Sequence, residues 1–421
     1  MNLKIKNFGK IADADIKFDG ITVICGDNNT GKSTVGKALF SFFNSLYDYR
    51  AKIFSQKSDA VRDFVFKNIN SIEDVVNIPN GILSDSLKSY ISEHSGKYTF
   101  EEVKKIFEVD YPIKVTKEKI MPLVDSLNSS DKDILNLSVF RYLSNVMNGQ
   151  IKNISNGGRC YIKSIFRDSQ SSISVFKSKC VCEIDEPIMH CAYYINNPFV
   201  IDFLNNHAPI MKSTNIMEWF TIQSIINAQR AINENSMANI LDSVANANDI
   251  EKINEIIKKA YSGNTILSNG KYFYTENGVD FDIRNISAGL KSFAIIERLL
   301  ETGVLKKKDV LILDEPEIHL HSEWQIIYAE LIVILQKTFD LTILLVTHSF
   351  HFLESLDFFM KKYGTHDNAN YYIPKETNKG YIMNSCGNDA LELKKNLSEG
   401  SVTLSDLKFK YEMENYSEED N

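Results

Sequence analysis

Residues Gly26-Asp27-Asn28-Asn29-Thr30-Gly31-Lys32-Ser33 have the spacing G-x-x-x-x-G-K-[ST] of a phosphate-binding loop. A polyphosphate needs many N–H donors at short range, and a glycine-punctuated loop wrapped onto a helix N-terminus supplies them. In this pattern Lys32 neutralises β/γ-phosphates, the Ser33 hydroxyl ligates Mg²⁺ and Thr34 carries the chain into the helix. A second set of carboxylates follows much later: the apolar run Val310-Leu311-Ile312-Leu313, then Asp314-Glu315, then Pro316. Asp314 at such a strand end would hold Mg²⁺ through water opposite Ser33, and Glu315 would polarise an attacking water. A buried strand closing on an acidic turn has the same outline; a P-loop elsewhere in the chain is what favours chemistry. The third element is Leu344-Leu345-Val346-Thr347-His348-Ser349, an apolar strand ending in a histidine. A lone histidine there is more often structural. Its place one helix and one strand after Asp314-Glu315 favours a γ-phosphate sensor. Together these residues predict a protein that binds ATP or GTP.

The elements around them have to place them. Ile21–Cys25 reads as a strand before the loop and Thr34–Phe43 as the helix after it. Upstream, Leu3 and Ile5, then Ala14, Ile16 and Phe18, alternate as in a β-meander with Asp19-Gly20 as a turn. Residues 41–150 are mostly helical in pattern, broken at Pro79-Asn80-Gly81 and Tyr111-Pro112, and 151–195 are rich in strand patterns. Helical character returns over 215–261 without a sustained heptad, which argues against a long coiled coil. A hairpin segment covers 265–283, with turns at Asn269-Gly270 and Asn277-Gly278. The last third alternates: helix Gly289–Glu301 ending at Gly303, strand Val310–Leu313, helix Ser322–Phe339, strand Leu341–Val346. Short apolar runs separated by helices predict a parallel sheet in an α/β core.

The order P-loop, Ile286-Ser287-Ala288-Gly289-Leu290-Lys291, Leu313-Asp314-Glu315-Pro316, Thr347-His348-Ser349 resembles the ABC-type P-loop ATPases. The fit is to their SMC, RecF and OLD branch rather than to transporters. The run Asp314-Glu315-Pro316-Glu317-Ile318-His319-Leu320-His321 with Trp324-Gln325 is similar to OLD-like ATPases of bacterial anti-phage systems. The opening Leu3-Lys4-Ile5-Lys6-Asn7-Phe8-Gly9 is similar to that branch too. The resemblance covers roughly residues 1–45 and 280–355 and is weak between them. It implies an ABC-type ATPase head, a mixed sheet flanked by helices, with an inserted mainly helical subdomain. On that basis the head is expected at 1–50 and 263–390, an inserted helical and β subdomain at 51–185, a return strand and helical segment at 186–262, and a C-terminal segment at 391–421.

The resemblance also implies roles. Gly26, Asp27, Asn28, Asn29, Thr30, Gly31, Lys32, Ser33 and Thr34 would hold ATP, Ser33 and Asp314 the Mg²⁺, with Glu315 as catalytic base and His348 as switch. Ser287, Ala288 and Gly289 would match the signature segment, which in that family contacts the ATP held by a second subunit. Without the resemblance Ser287 is an ordinary helix N-cap. Ala288 and Leu290 depart from L-S-G-G-Q, which weakens the expected trans contact. A Q-loop glutamine has no spacing argument; Gln150 and Gln170 are the candidates.

Partners follow from charge, length and the same resemblance. Hydrophobic residues are 43% and charged ones 24%, so the chain is an ordinary globular protein. No apolar run is long enough for a membrane span, and the start reads as a strand rather than a signal peptide. Net charge is −8. DNA contact would therefore need a local patch, for which Lys152, Arg159, Lys163, Arg167, Lys177 and Lys179 against Asp168 qualify. A solvated sheet face is the commoner meaning of such a run. The acidic tail Tyr411–Asn421 reads as solvated. Cysteines at 25, 160, 180, 182, 191 and 386 lack C-x₂₋₄-C pairs, so buried reduced thiols are favoured over zinc, in a cytosolic protein. Roughly 70 residues follow His348, too few for the nuclease domain of full OLD enzymes. The resemblance thus implies a homodimer or higher homo-oligomer that controls a separate nuclease or toxin chain.

Overall fold

The computed structural model describes residues 1–68, 88–91, 98–110, 116–153, 158–205, 215–233 and 249–397. The chain opens with the antiparallel pair β1 (Asn2–Phe8) and β2 (Ile11–Lys17), in register from Asn2↔Lys17 to Phe8↔Ile11. The period of two turns Leu3, Ile5, Ala14 and Ile16 to one buried face and Lys4, Lys6, Asp13 and Asp15 to the other. β3 (Ile21–Cys25) is buried throughout and feeds α1 (Lys32–Leu46). Among the described residues the helices α2 (Tyr49–Asn68), α3 (Phe100–Asp110), α4 (Lys117–Leu127) and α5 (Asp131–Val146) follow. Then come strands β4 (Cys160–Phe166), β5 (Ser169–Phe176), β6 (Lys179–Ile184) and β7 (Ala192–Ile195), and helix α6 (Ile216–Asn233). β8 (Asn264–Ser268), β9 (Lys271–Glu276) and β10 (Val279–Asp282) form a separate three-stranded sheet. The rest runs α7 (Ala288–Glu301), β11 (Val310–Asp314), α8 (Ser322–Phe339), β12 (Thr342–Thr347), α9 (Phe350–Tyr363), β13 (Asn370–Thr377) and β14 (Gly380–Ser385).

The main sheet has eleven strands in the order β6-β5-β4-β1-β2-β14-β13-β3-β12-β11-β7. Its half from β13 to β7 is parallel, and the strands from β6 to β2 are antiparallel. The expected α/β class, a mixed sheet flanked by helices, is the observed one. In the parallel half successive residues enter opposite cores. Val23, Leu311, Leu313 and Leu345 pack with Phe293, Tyr328, Leu331 and Phe352 of α7, α8 and α9. Ile24, Val310, Ile312 and Leu344 pack with Val35, Leu39 and Phe42 of α1 and Leu143 of α5. Helices cover both faces, so these strands read as continuous apolar runs.

The residues of the expected inserted unit at 51–185 contribute to both the main sheet and a core of their own. β4 pairs with β1 from Asn2↔Ile165 to Lys6↔Tyr161, so β4–β6 extend the head sheet, and Leu135, Val139 and Leu143 of α5 join the core under α1. A separate helical core is confined to residues between Val61 and Leu127, built on Phe64, Val103, Phe107, Ile120 and Leu123. Strands β13 and β14 fall inside the expected 263–390 unit, in a stretch after His348 for which no strand was expected; they bridge β2 and β3 and join the two halves of the sheet. Pro374, Lys375 and Glu376 give β13 the look of a loop, although its first three residues are buried. The turns expected at 79–81 and 111–112, and the acidic tail, lie outside the described residues. Among those described, no helix is long and apolar enough to cross a membrane.

Candidate active site

The ends of β3, β11 and β12, neighbours in the parallel half, carry the loops that hold the expected chemistry. After β3 the chain turns through positive φ at Gly26 (148°), Asn29 (69°) and Gly31 (89°) before entering α1 at Lys32. Both glycines are needed for space as well as for angle. A Cβ on Gly26 would lie 2.8 Å from Cδ of Pro374, and one on Gly31 2.8 Å from Cδ1 of Ile11. Asp27, Asn28 and Asn29 are exposed at the loop tip, and the Thr30 hydroxyl donates to the Asp27 carbonyl at 2.8 Å. Lys32, buried at 4% exposure, turns its ammonium back onto that same carbonyl. Burial lowers the Lys32 pKa, while Glu315 and Asp314 act in the opposite sense. Thr34 sits in the first turn of α1, where its methyl contacts Gly9 of the β1–β2 turn. From that turn Lys10 donates to the Asn29 carbonyl at 3.1 Å, bringing a second ammonium to the loop.

The Ser33 hydroxyl donates to Oδ1 of Asp314 at 3.2 Å across the gap between α1 and the end of β11. The other oxygen, Oδ2, accepts from the Tyr194 hydroxyl at 2.5 Å. Tyr194 lies on β7 directly across from Ile312, fully buried, and burial raises its phenol pKa strongly. It acts as a donor that fixes the carboxylate. Gly36 on α1 makes room for it: a Cβ there would lie 2.9 Å from the Tyr194 ring. Ser33 and Asp314 thus present a hydroxyl and a carboxylate oxygen side by side, a donor set that fits Mg²⁺.

Glu315 takes φ 54° just past the strand, and its N–H donates to the Val346 carbonyl at 2.8 Å, locking the turn to β12. Its Oε1 lies 2.9 Å from Nε2 of His348, at ion-pair distance but without the alignment of a straight hydrogen bond. Burial, then Lys32, lowers the His348 pKa, and Glu315 works against them. Five of the expected residues, Lys32, Ser33, Asp314, Glu315 and His348, are therefore drawn into one electrostatic group.

The signature segment stands apart from that group. Ser287 is exposed and caps α7, accepting from the Leu290 N–H at 3.3 Å. Gly289 is required by packing, because a Cβ would lie 2.9 Å from Cζ3 of Trp324 and 3.1 Å from the His319 carbonyl. No described hydrogen bond or ion pair joins Ser287, Ala288 or Gly289 to the P-loop or to Asp314 within this copy. Of the glutamine candidates, Gln150 is exposed after α5, and Gln170 lies on β5, one strand in from the sheet edge, where its backbone N–H donates to the Asp185 carboxylate. The positions beside the carboxylates belong instead to Asn196 and Asn197, which follow β7 and line a crevice with Asp314, Glu315 and His319. Tyr194, Asn196 and Asn197 lie more than a hundred residues from Asp314 in sequence, so no local spacing could reveal them.

The basic run falls on β4–β6 and their turns. Lys163 faces Lys4 across the pairing, and the exposed Phe166 and Phe176 rings carry Arg167, Lys152 and Lys177 at 5.4, 5.6 and 5.9 Å. Cys160, Cys180 and Cys182 are buried free thiols, the last two with sulfurs 3.8 Å apart. Among the described residues no group of three or more His, Cys, Asp or Glu is placed to hold a metal ion.

The family described as AAA ATPase domain matches residues 1–353, and the chain belongs to it. No curated protein matches the chain. Among solved structures, an Smc head bound to the C-winged helix domain of ScpA is similar at 12% identity, covering 92% of this chain and 97% of that one, with a TM-score of 0.47. The SMC head domain from Thermotoga maritima is similar at 12% identity over 91% of this chain and 97% of its own, TM-score 0.38. An Smc head domain with an extended coiled coil, bound to the C-terminal domain of ScpA derived from Pyrococcus furiosus, is similar at 11% identity over 97% and 98%, TM-score 0.42.

Proposed function

We propose that the chain binds Mg-ATP between the Gly26–Ser33 loop and Asp314 and hydrolyses it. The observation that carries this reading is the convergence of Lys32, the Ser33–Asp314 pair and the Glu315–His348 pair at neighbouring strand ends, where α/β sheets bind ligands. Loop N–H groups and Lys32 receive the phosphates. Ser33 and Asp314 supply oxygens for Mg²⁺, which when bound offsets phosphate charge. Glu315 orients the attacking water and accepts its proton, and His348, held beside it, contacts the γ-phosphate. Comparing phosphate release by wild type and Glu315→Gln tests this: equal, near-zero rates would make the chain a nucleotide sensor instead.

Completion of the site falls to a second copy. Ser287 is exposed at the N-terminus of α7, whose dipole favours an anion, and its hydroxyl caps its own helix at the Leu290 N–H without reaching the P-loop of its own copy among the described residues. Paired head to tail, two chains would each present Ser287 and Gly289 to the other's ATP. Specific activity should then fall on dilution; a constant value over a wide range would contradict the pairing.

The finer reading is an OLD-like sensor and scaffold subunit of a bacterial anti-phage system, working in the cytosol and controlling a separate nuclease or toxin. Its support is the run Asp314–His321 with Trp324-Gln325. That run joins the site to the signature helix, since Trp324 packs on Gly289 and Gln325 ties the Leu320 carbonyl to the Ser349 hydroxyl. A gene with no effector beside it, and no phage protection on expression, would remove this role. The Lys/Arg-bearing strands β4–β6 with exposed Phe166 and Phe176 support a second reading, a DNA-maintenance ATPase. Steeply salt-dependent DNA affinity that rises with ATP favours it, and no binding at low salt excludes it.

A further inference from the structure

Glu317, two residues beyond the proposed base, is only 5% exposed, although carboxylates are rarely buried without partners. Its Oε1 accepts two hydrogen bonds, from the Thr347 hydroxyl at 2.5 Å and from the His348 backbone N–H at 3.1 Å. The Thr347 hydroxyl in turn accepts the Ser349 N–H at 3.1 Å. One side chain therefore stitches residues 347–349 to the turn that follows β11. The register puts Thr347 beside Cys25, the last residue before the P-loop, so Glu317 lies where three strand ends meet. Oε2 is buried without a hydrogen-bond partner. Burial raises the Glu317 pKa, while the hydrogen bonds from Thr347 and the His348 N–H act in the opposite sense.

Position matters at this point of the chain. β12 ends at Thr347, so the sheet ladder no longer fixes the backbone of His348. The ring of His348 nevertheless sits 2.9 Å from Glu315. A misplacement of about 1 Å in a catalytic array can cost about a hundredfold in rate.

We propose that Glu317 is a positioning residue: by accepting from the Thr347 hydroxyl and the His348 N–H, it holds the His348 ring against Glu315, so that switch and base are set together. The proposal rests on reading Glu315 and His348 as base and γ-phosphate switch. A carboxyl serving only the fold would change stability and leave the rate of the folded protein alone. One serving the site changes kcat at constant affinity, and glutamine, whose amide oxygen can accept both bonds, replaces it.

The test is steady-state ATP hydrolysis, ATP affinity and thermal melting for wild type, Glu317→Ala, Glu317→Gln and Thr347→Val. Glu317→Ala should lower kcat by about 30- to 100-fold while KM and ATP affinity stay within about threefold, and Glu317→Gln should stay within about threefold of wild type throughout. Wild-type kcat in folded Glu317→Ala, or Glu317→Gln as slow as Glu317→Ala, overturns the inference and leaves the ATPase reading intact. Should Glu317→Ala fail to fold, Thr347→Val decides: it deletes one of the two donors in a near-isosteric side chain and should lower kcat by at least about fivefold at constant KM. An unchanged kcat there overturns the inference as well. A wild type that releases no phosphate overturns the ATPase reading and the inference with it.

Discussion

The parallel half of the sheet and the helical insert both bury an apolar core, but they are constrained by different things. In and around the parallel half, Gly26, Gly31, Gly36 and Gly289 are each fixed by an approach under 3 Å, and Lys32 is buried at the start of α1. In the insert, packing of Phe64 on Phe107 at 5.2 Å and Lys57 over Tyr98 at 5.4 Å asks only for bulk and spacing. On the proposed function, one region answers to phosphate chemistry and the other to burial. Changes in the first should therefore alter turnover without altering the fold, and changes in the second should do the reverse.

The largest effect tests the first half of that statement. Glu315→Gln should lower kcat by about a thousandfold, within the range a general base contributes, while ATP affinity and melting temperature hold. Phosphate release and nucleotide titration measure it; a parallel loss of folding would blur the distinction. Phe107→Ala tests the other half. Phe107 is fully buried in the insert core, so its truncation should cost about 3–5 kcal/mol there. Hydrogen exchange should show helices Phe100–Asp110 and Lys117–Leu127 opening while ATP hydrolysis persists, and a collapse of hydrolysis would show that the two cores are one cooperative unit. Smaller again, Lys32→Ala should weaken ATP binding by about 30-fold or more, the worth of a charge-assisted contact of about 2 kcal/mol, with the insert unaffected.

The same contrast explains what was legible. Gly26–Ser33, Asp314-Glu315 and His348 were legible as candidates because each motif is contiguous, with residue type and spacing set along a single strand or turn. Helix Ser322–Phe339 was placed to the residue, and α7 to within one, because apolar periodicity and caps are local. Tyr194 was illegible: its hydroxyl reaches Asp314 over 120 residues of sequence. Glu317 was legible only as part of a resemblance, since its partners Thr347 and His348 lie on the next strand end. The sheet that β4–β6 join was illegible for the same reason. Strands β4–β6 have ordinary alternation, and only their pairing with β1 assigns them to the head.

The finest probe of the electrostatic group is the titration of His348. Burial lowers its pKa below the ordinary imidazole value of 6.5, Lys32 adds to that, and Glu315 opposes it. Lys32→Met should therefore raise the midpoint, and Glu315→Gln should lower it further, both readable by NMR of the ring protons. The sign for stability follows from proton binding. The unfolded chain takes up the His348 proton at higher pH than the native one, so the unfolded state holds more protons between the two midpoints. Native stability is thus undiminished above the unfolded value and falls as pH drops through it. His348→Gln should flatten that fall in denaturant titrations near pH 6. Wild-type slope in the variant, or a His348 midpoint indifferent to Lys32, would mean that the ring is not part of the charge group that defines the parallel half.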